Sequence, residues 1–113
     1  MITIAKLKEY GANIDEGLAR CLNNEDFYLR LVNKAIDDNK PMMLKQELAN
    51  KNYQGAFEIA HSLKGVYGNL SLTPLFNIIC EIVEPLRIKA DVDYDKFIAI
   101  LDDRIEKIKA LRD

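Results

Sequence analysis

Residues 53–70 of the chain read YQGAFEIAHSLKGVYGNL, and this stretch decides the fold class. Its apolar residues recur every three or four positions, at Ala56, Ile59, Ala60, Leu63, Val66, Tyr67 and Leu70. This spacing places them on one side of an α-helix of about 3.6 residues per turn. The segment therefore predicts a helix of three to four full turns with one buried face.

Further helices are predicted on the N-terminal side of this segment. Asn13 and Asn24 each precede two acidic residues, so a side-chain cap is followed by charges that complement the helix dipole. These signals predict a short helix over residues 14–22 and a longer one over 25–38. Pro41 suits a first-turn position and predicts a third helix that runs to about residue 50.

The C-terminal side continues the same pattern. Thr73 and Pro74 mark a turn and restart, and the stripe that follows contains Leu75, Ile78, Ile79, Ile82 and Leu86. Pro85 lacks an N–H donor and crowds the carbonyl of Glu81, which predicts a kink or a frayed last turn. A last helix is predicted after Asp93 as its cap, with an inward face made of Tyr94, Phe97, Ile98, Leu101, Ile105 and Ile108.

No run of residues alternates apolar and polar side chains long enough to indicate a strand. The 113 residues contain only five glycines and three prolines, which also favours long helices over strands and turns. We therefore predict an all-α fold. Its architecture is expected to be an antiparallel four-helix bundle with short additional N-terminal helices, forming a single domain over residues 1–113.

Charge and composition exclude several classes of partner. Lys plus Arg number 16 against 18 Asp plus Glu, so no basic excess exists to bind a nucleic acid or an anionic membrane. No apolar run approaches the roughly 18 to 20 residues of a membrane span. The N-terminus lacks the pattern of a cleaved signal, so we expect a cytoplasmic protein. Cys21 and Cys80 are predicted to be reduced, partly buried thiols.

The single histidine, His61, is the most informative polar residue. At about 100° per residue it lies roughly 150° from the centre of the core stripe, so we predict that it faces solvent. Lys64 is one turn away, and Gly65 and Gly68 lie on the same side of the helix. Glycine inside a helix often marks close approach by a neighbour, and here we expect that neighbour to be an external partner.

Two other interpretations of His61 exist. An exposed lone histidine is commonly just a surface residue. Glu58 and His61 also match the Glu-x-x-His spacing of di-iron bundles, but that centre needs the motif on two inward-facing helices. With one histidine in the chain, a single-chain di-iron site is excluded, and no metal site is expected. No nucleotide-binding motif is present, so the chain is not expected to phosphorylate itself.

The segment Ala60-His61-Ser62-Leu63-Lys64-Gly65, followed by Asn69-Leu70, resembles the signature of histidine-containing phosphotransfer (HPt) domains of two-component phosphorelays. The stretches over residues 10–20 and 24–29 resemble the opening helices of the same family. The resemblance covers nearly the whole chain. It implies a four-helix bundle that carries a phosphoryl group between the aspartates of receiver domains.

The resemblance also implies residue roles. His61 would be phosphorylated, Lys64 would stabilise the phosphoryl group, and Gly65 would keep access open. Ile14, on a face of an early helix that the resemblance implies to be exposed, would help to dock the receiver. Phe57 and Gly68, on the same side of the helix as His61, are expected to join that docking surface.

One position departs from the family pattern. Many members carry Gln or Glu 22 residues after the histidine, where the side chain can hydrogen-bond the ring, and this chain has Val83 there. Asn77, Glu81 or Glu84 could take over that hydrogen bond. The sequence leaves open which residue, if any, orients the ring.

The expected function is therefore that of a phosphocarrier with no enzymatic activity of its own. Its partners would be receiver domains, among them those of hybrid histidine kinases, and the receiver would supply the Mg²⁺ because this chain is expected to bind no cofactor. Two alternatives are a phosphorylatable domain that serves a separate chemotaxis-type kinase and a helical adaptor without phosphotransfer. A monomer is expected because the side of His61 has few large apolar residues beyond Phe57.

Overall fold

A computed structural model describes residues 1–113, and it contains seven helices and no strand. The helices are α1 (Ile4–Tyr10), α2 (Ile14–Arg20), α3 (Glu25–Ile36), α4 (Lys40–Ala49), α5 (Tyr53–Asn69), α6 (Thr73–Arg87) and α7 (Asp95–Ala110). The predicted all-α fold is confirmed. The longest helix, α5, is the segment from which the sequence argument began.

The predicted caps hold the starts of α2 and α3. The side chain of Asn13 accepts the Glu16 N–H at 3.3 Å, and that of Asn24 accepts the Phe27 N–H at 3.0 Å. Asn52 does the same at the start of α5, where it accepts the N–H of Gly55 at 3.2 Å. Each cap satisfies an amide that the helix itself leaves without a partner.

Two helix starts differ from the sequence prediction. Helix α1 was not predicted, although Thr3 caps it and Gly11 closes it at a φ of 112°, because only Leu7 in its seven residues is buried. Helix α7 begins at Asp95 with Tyr94 as its N-cap, so the prediction of Asp93 as the cap was wrong. The Asp93 carboxylate nevertheless accepts the Asp95 N–H at 3.1 Å.

Pro85 does not end its helix. Helix α6 continues to Arg87, so Pro85 lies in the last turn, where only two helical residues follow it; it lacks the N–H that would bond the Glu81 carbonyl. The backbone N–H of Ala90 then hydrogen-bonds the Pro85 carbonyl at 2.9 Å and closes the helix.

Helix α5 packs between α4 and α6, and α6 packs in turn on α7. Helices α5 and α6 run antiparallel: Gly68 near the end of α5 lies beside Phe76 at the start of α6, and Arg87 at the end of α6 lies over the ring of Phe57. The core face of α5 is formed by Ala56, Ala60, Leu63 and Tyr67, all buried. One side of α5 thus faces the protein interior.

The N-terminal helices are fastened to the end of α5. The buried hydroxyl of Tyr28 donates to the Leu70 carbonyl at 2.8 Å, and burial raises the pKa of Tyr28 to about 12. The Asn13 N–H donates to the Ser71 carbonyl at 2.9 Å. Gly17 fits against the ring of Tyr28 with no room for a side chain.

Replacing Gly17 by alanine tests this junction. The new Cβ would lie 2.7 Å from Tyr28 Cε1 and 2.9 Å from the Leu70 carbonyl oxygen, so α2 must move away from α5. We expect Gly17→Ala to lower the free energy of unfolding by about 1–3 kcal/mol, as overpacking does in other cores. Urea denaturation followed by circular dichroism measures it, with Ala19→Ser at an exposed position as the control; equal stability of both variants would contradict the packing.

Candidate functional site

His61 lies in the middle of α5 with its side chain exposed, as the helical spacing predicted. Its imidazole makes no hydrogen bond with another group of the chain. The neighbouring ring is that of Phe57, one turn earlier, with the ring centroids 5.6 Å apart and the planes at 33°. The ring therefore rests on an apolar neighbour while both nitrogens stay free of protein partners.

Lys64 follows one turn after His61 and is half-buried. Seven ion pairs join side chains of this protein, and Lys64 takes part in none of them. Its ammonium also donates no hydrogen bond within the chain. A free cation on the same side of the helix as the imidazole can meet an incoming anion without first breaking another contact.

Gly65 lies in open space. A Cβ placed on it would have no heavy atom within 4 Å, apart from its own helix and chain neighbours. No close packing of the fold requires a glycine here, although glycine costs a helix interior up to ~1 kcal/mol relative to alanine. Gly65 thus leaves open space on the helix surface one turn after His61, and its role in access stays a prediction.

Gly68 behaves differently, and the expectation that it clears the surface for an external partner was wrong. A Cβ there would lie 3.1 and 3.3 Å from two ring atoms of Phe76. Gly68 therefore serves the close approach of α6 to α5. Its carbonyl is also engaged, because Arg20 donates to it at 3.0 Å.

The expected exposure of Ile14 was also wrong. Its side chain is only 8% exposed and belongs to the hydrophobic core. Helix α2 has seven residues and buries Ile14 together with Gly17, so its apolar side faces inward. Phe57 is half-buried, with the guanidinium carbon of Arg87 5.5 Å from its ring centroid, and it stays available at the surface.

No hydrogen-bonding side chain orients the imidazole. Val83 is fully buried in the core, and Glu84 lies 3.6 Å from Arg87 in an ion pair. Asn77 lines the same groove as His61 but makes no hydrogen bond to it, and the exposed Glu81 makes none either. The tilted contact with Phe57 is thus what the structure offers to orient the ring, a role that the sequence spacing of one turn could have indicated.

An open groove of about 650 Å³ runs from His61 toward the end of α5. Most of the residues that line it have polar side chains, and α2 contributes one wall through Glu16 and Arg20. Arg20 is a residue that the sequence argument missed. It donates to Ser71 Oγ at 2.7 Å and to the carbonyls at the end of α5, and it pairs with Glu16. Its position depends on how α2 docks, which no local pattern reveals.

The site offers a nucleophilic nitrogen, a free cation and empty space on one exposed helix face. No group of three or more His, Cys, Asp or Glu side chains is arranged to hold a metal ion. No helix combines the length and apolar character needed to cross a membrane. The arrangement suits the approach of a folded partner that carries an anionic group.

Replacing Gly65 by alanine tests whether the space beside this position is open. Because the added methyl group meets nothing and alanine favours a helix, Gly65→Ala should raise the free energy of unfolding by up to ~1 kcal/mol. Gly68→Ala is the matched control on the same helix, and its gain should be smaller because Phe76 must move. Thermal and urea unfolding measure both; a destabilised Gly65→Ala variant would show that the space is not open.

Comparisons with known proteins identify no relative of this chain. No family model, no curated protein and no solved structure matches this chain. The resemblance to HPt domains therefore rests on the residues quoted from the sequence, and the geometry around His61 has to carry the functional argument.

Proposed function

We propose that this protein is a phosphorelay carrier of the HPt type, which accepts a phosphoryl group on His61 from a receiver-domain aspartate and passes it to another receiver. One observation carries the proposal: within five residues of one helix face lie an exposed imidazole, the unpaired ammonium of Lys64 and the empty space over Gly65. A solvated surface helix needs none of these three together.

We infer further that α4, α5, α6 and α7 form an antiparallel four-helix bundle to which α1 to α3 are added. The contacts of α5 with α4 and α6, and of α6 with α7, support three sides of such a bundle. The ion pair between Lys45 and Asp102, at 2.8 Å, links α4 to α7 and supports the fourth side. In this arrangement His61 lies on the outer face of one bundle helix.

The proposed transfer step follows from the chemistry of a neutral imidazole. A lone pair of the imidazole, at Nε2 as we propose, forms an N–P bond in line with the P–O bond of an aspartyl phosphate. That P–O bond breaks, and its electron pair leaves with the aspartate carboxylate. No proton has to be removed before attack, so the absence of a general base beside His61 is compatible with the step.

Lys64 would act by charge. The transferred group carries negative oxygens, and a cation one turn from the nucleophile lowers the energy of that charge without contacting the leaving group. The partner receiver would supply Mg²⁺, which neutralises the phosphoryl oxygens when bound there. This chain's own contribution is to hold the ring against Phe57, to keep Lys64 free and to leave space at Gly65.

The central test is His61→Gln. We expect the wild-type protein to take up acid-labile phosphate from at least one member of a panel of phosphorylated receiver domains of the same host, and His61→Gln to take up none. Ser62→Ala, at the exposed neighbouring position, should transfer like wild type. The proposal fails if His61→Gln accepts phosphate as wild type does, or if no receiver in the panel phosphorylates the wild-type chain.

A second test blocks access without touching the nucleophile. Gly65→Gln places a long side chain in the open space one turn beyond His61, so we expect transfer from the receiver to slow by at least tenfold with unchanged helix content. Ala99→Gln on α7, exposed and distant from the groove, is the control. Equal transfer rates for both variants, measured by rapid quench, would contradict a receiver that docks over Gly65.

A further inference from the structure

A second cavity lies between α4, α7 and the turn that follows α3. Its volume is about 320 Å³, near the lower end of the ~300–1,000 Å³ typical of small-molecule sites. The apolar part of its wall includes Ile36, Leu72, Leu75, Ile105 and Ile108. Except for their outer edges, these side chains belong to the buried core.

Tyr67 gives this cavity a polar group without a partner. Its side chain is 2% exposed, and its hydroxyl makes no hydrogen bond with the chain. The hydroxyls of Tyr10, Tyr28, Tyr53 and Tyr94 all donate to an oxygen of the protein. No buried polar side-chain atom of the protein is both sealed from solvent and without a partner, so the Tyr67 hydroxyl keeps some contact with solvent. Asp38, whose charge acts on this hydroxyl, lines this cavity and not the His61 groove, which indicates that the hydroxyl faces the cavity.

Asp38, at the rim of the cavity, also lies near this hydroxyl. Burial and, after it, the Asp38 carboxylate raise the pKa of Tyr67 above its ordinary value. The hydroxyl is therefore protonated at neutral pH and can donate a hydrogen bond as well as accept one. A ligand that enters the cavity would meet a neutral phenol at the inner end.

The charged residues around the cavity already have partners. Lys45 pairs with Asp102 at 2.8 Å, and Lys109 lies 3.8 Å from Glu106. Asp38 pairs with Lys40 at 3.2 Å, and Asp37 pairs with Arg112 at 2.8 Å. A charged ligand would compete with one of these pairs and lose its own hydration, whereas a neutral ligand would leave all of them intact.

We propose that this cavity is a binding site for an uncharged, ring-sized organic molecule whose single polar group hydrogen-bonds the Tyr67 hydroxyl. The apolar wall would contact the ring of the ligand, and the ion-paired side chains at the rim would disfavour a charged ligand. Tyr67 also lines the far end of the His61 groove, but His61, Lys64 and Gly65 do not line this cavity, so the site is distinct from the proposed phosphotransfer surface. Its test requires no receiver and no phosphate.

Benzamide is a suitable probe, with benzoate and benzylammonium as charged compounds of the same size. We expect titration of the ¹⁵N-labelled protein with benzamide to shift the amide resonances of cavity residues such as Asn39 and Leu72, with a Kd of about 1 mM as for a small fragment. The two charged compounds should bind at least tenfold more weakly.

Tyr67→Phe is the decisive variant. It keeps the ring and removes only a hydroxyl that has no partner in the chain, so we expect it to fold with an unchanged melting temperature. Its affinity for benzamide should fall by roughly 2- to 10-fold, the range expected for one lost hydrogen bond. Tyr10→Phe, whose hydroxyl donates to Arg104 outside this cavity, should bind benzamide like wild type.

Three results would overturn the proposal. The first is the absence of shifts up to about 10 mM benzamide, ten times the expected Kd, which would leave ordered water as the partner of Tyr67. The second is equal binding of the neutral and charged probes. The third is an unchanged Kd in Tyr67→Phe, since the hydroxyl would then take no part in binding.

Discussion

The burial of one side of α5 is the constraint on which the rest of the structure depends. Ala56, Ala60 and Leu63 are completely buried, and the Leu63 side chain alone contributes about 1.5–3 kcal/mol by leaving water. Because the helix is rigid, fixing this side also fixes the opposite one. The direction of His61 follows from the core and needs no hydrogen bond of its own.

The turn that ends α5 transmits this constraint to the N-terminal helices. Ser71 adopts a φ of 53° and is buried, which brings its backbone and hydroxyl within reach of α2. Its carbonyl accepts a hydrogen bond from the Asn13 N–H, and its hydroxyl oxygen accepts one from the Arg20 guanidinium. Arg20 also satisfies the last carbonyls of α5, where a cation complements the negative end of the helix dipole. As a result, α2 forms one wall of the groove beside His61.

Local periodicity predicted most of the helices and the orientation of His61, since both depend on one helix at a time. Gly65 and Gly68 mark the limit of that reasoning. They differ by only about 60° around the helix axis, yet one faces solvent and the other meets Phe76. The position of α6 determines which of the two glycines is covered, and no sequence pattern within α5 specifies that position. Ile14 was misplaced for the same reason, because a seven-residue helix shows its buried side only once it is docked.

The four glycines within helices differ in what the fold gains from them. Gly17 and Gly68 allow close packing against Tyr28 and Phe76, and Gly55 lies against the side chains of Asn52 and Glu47. Gly65 alone has nothing near it. Its cost in helix stability, up to ~1 kcal/mol, is not recovered by any contact within the protein. The docking of a receiver that we propose, one turn from the imidazole, would account for that cost.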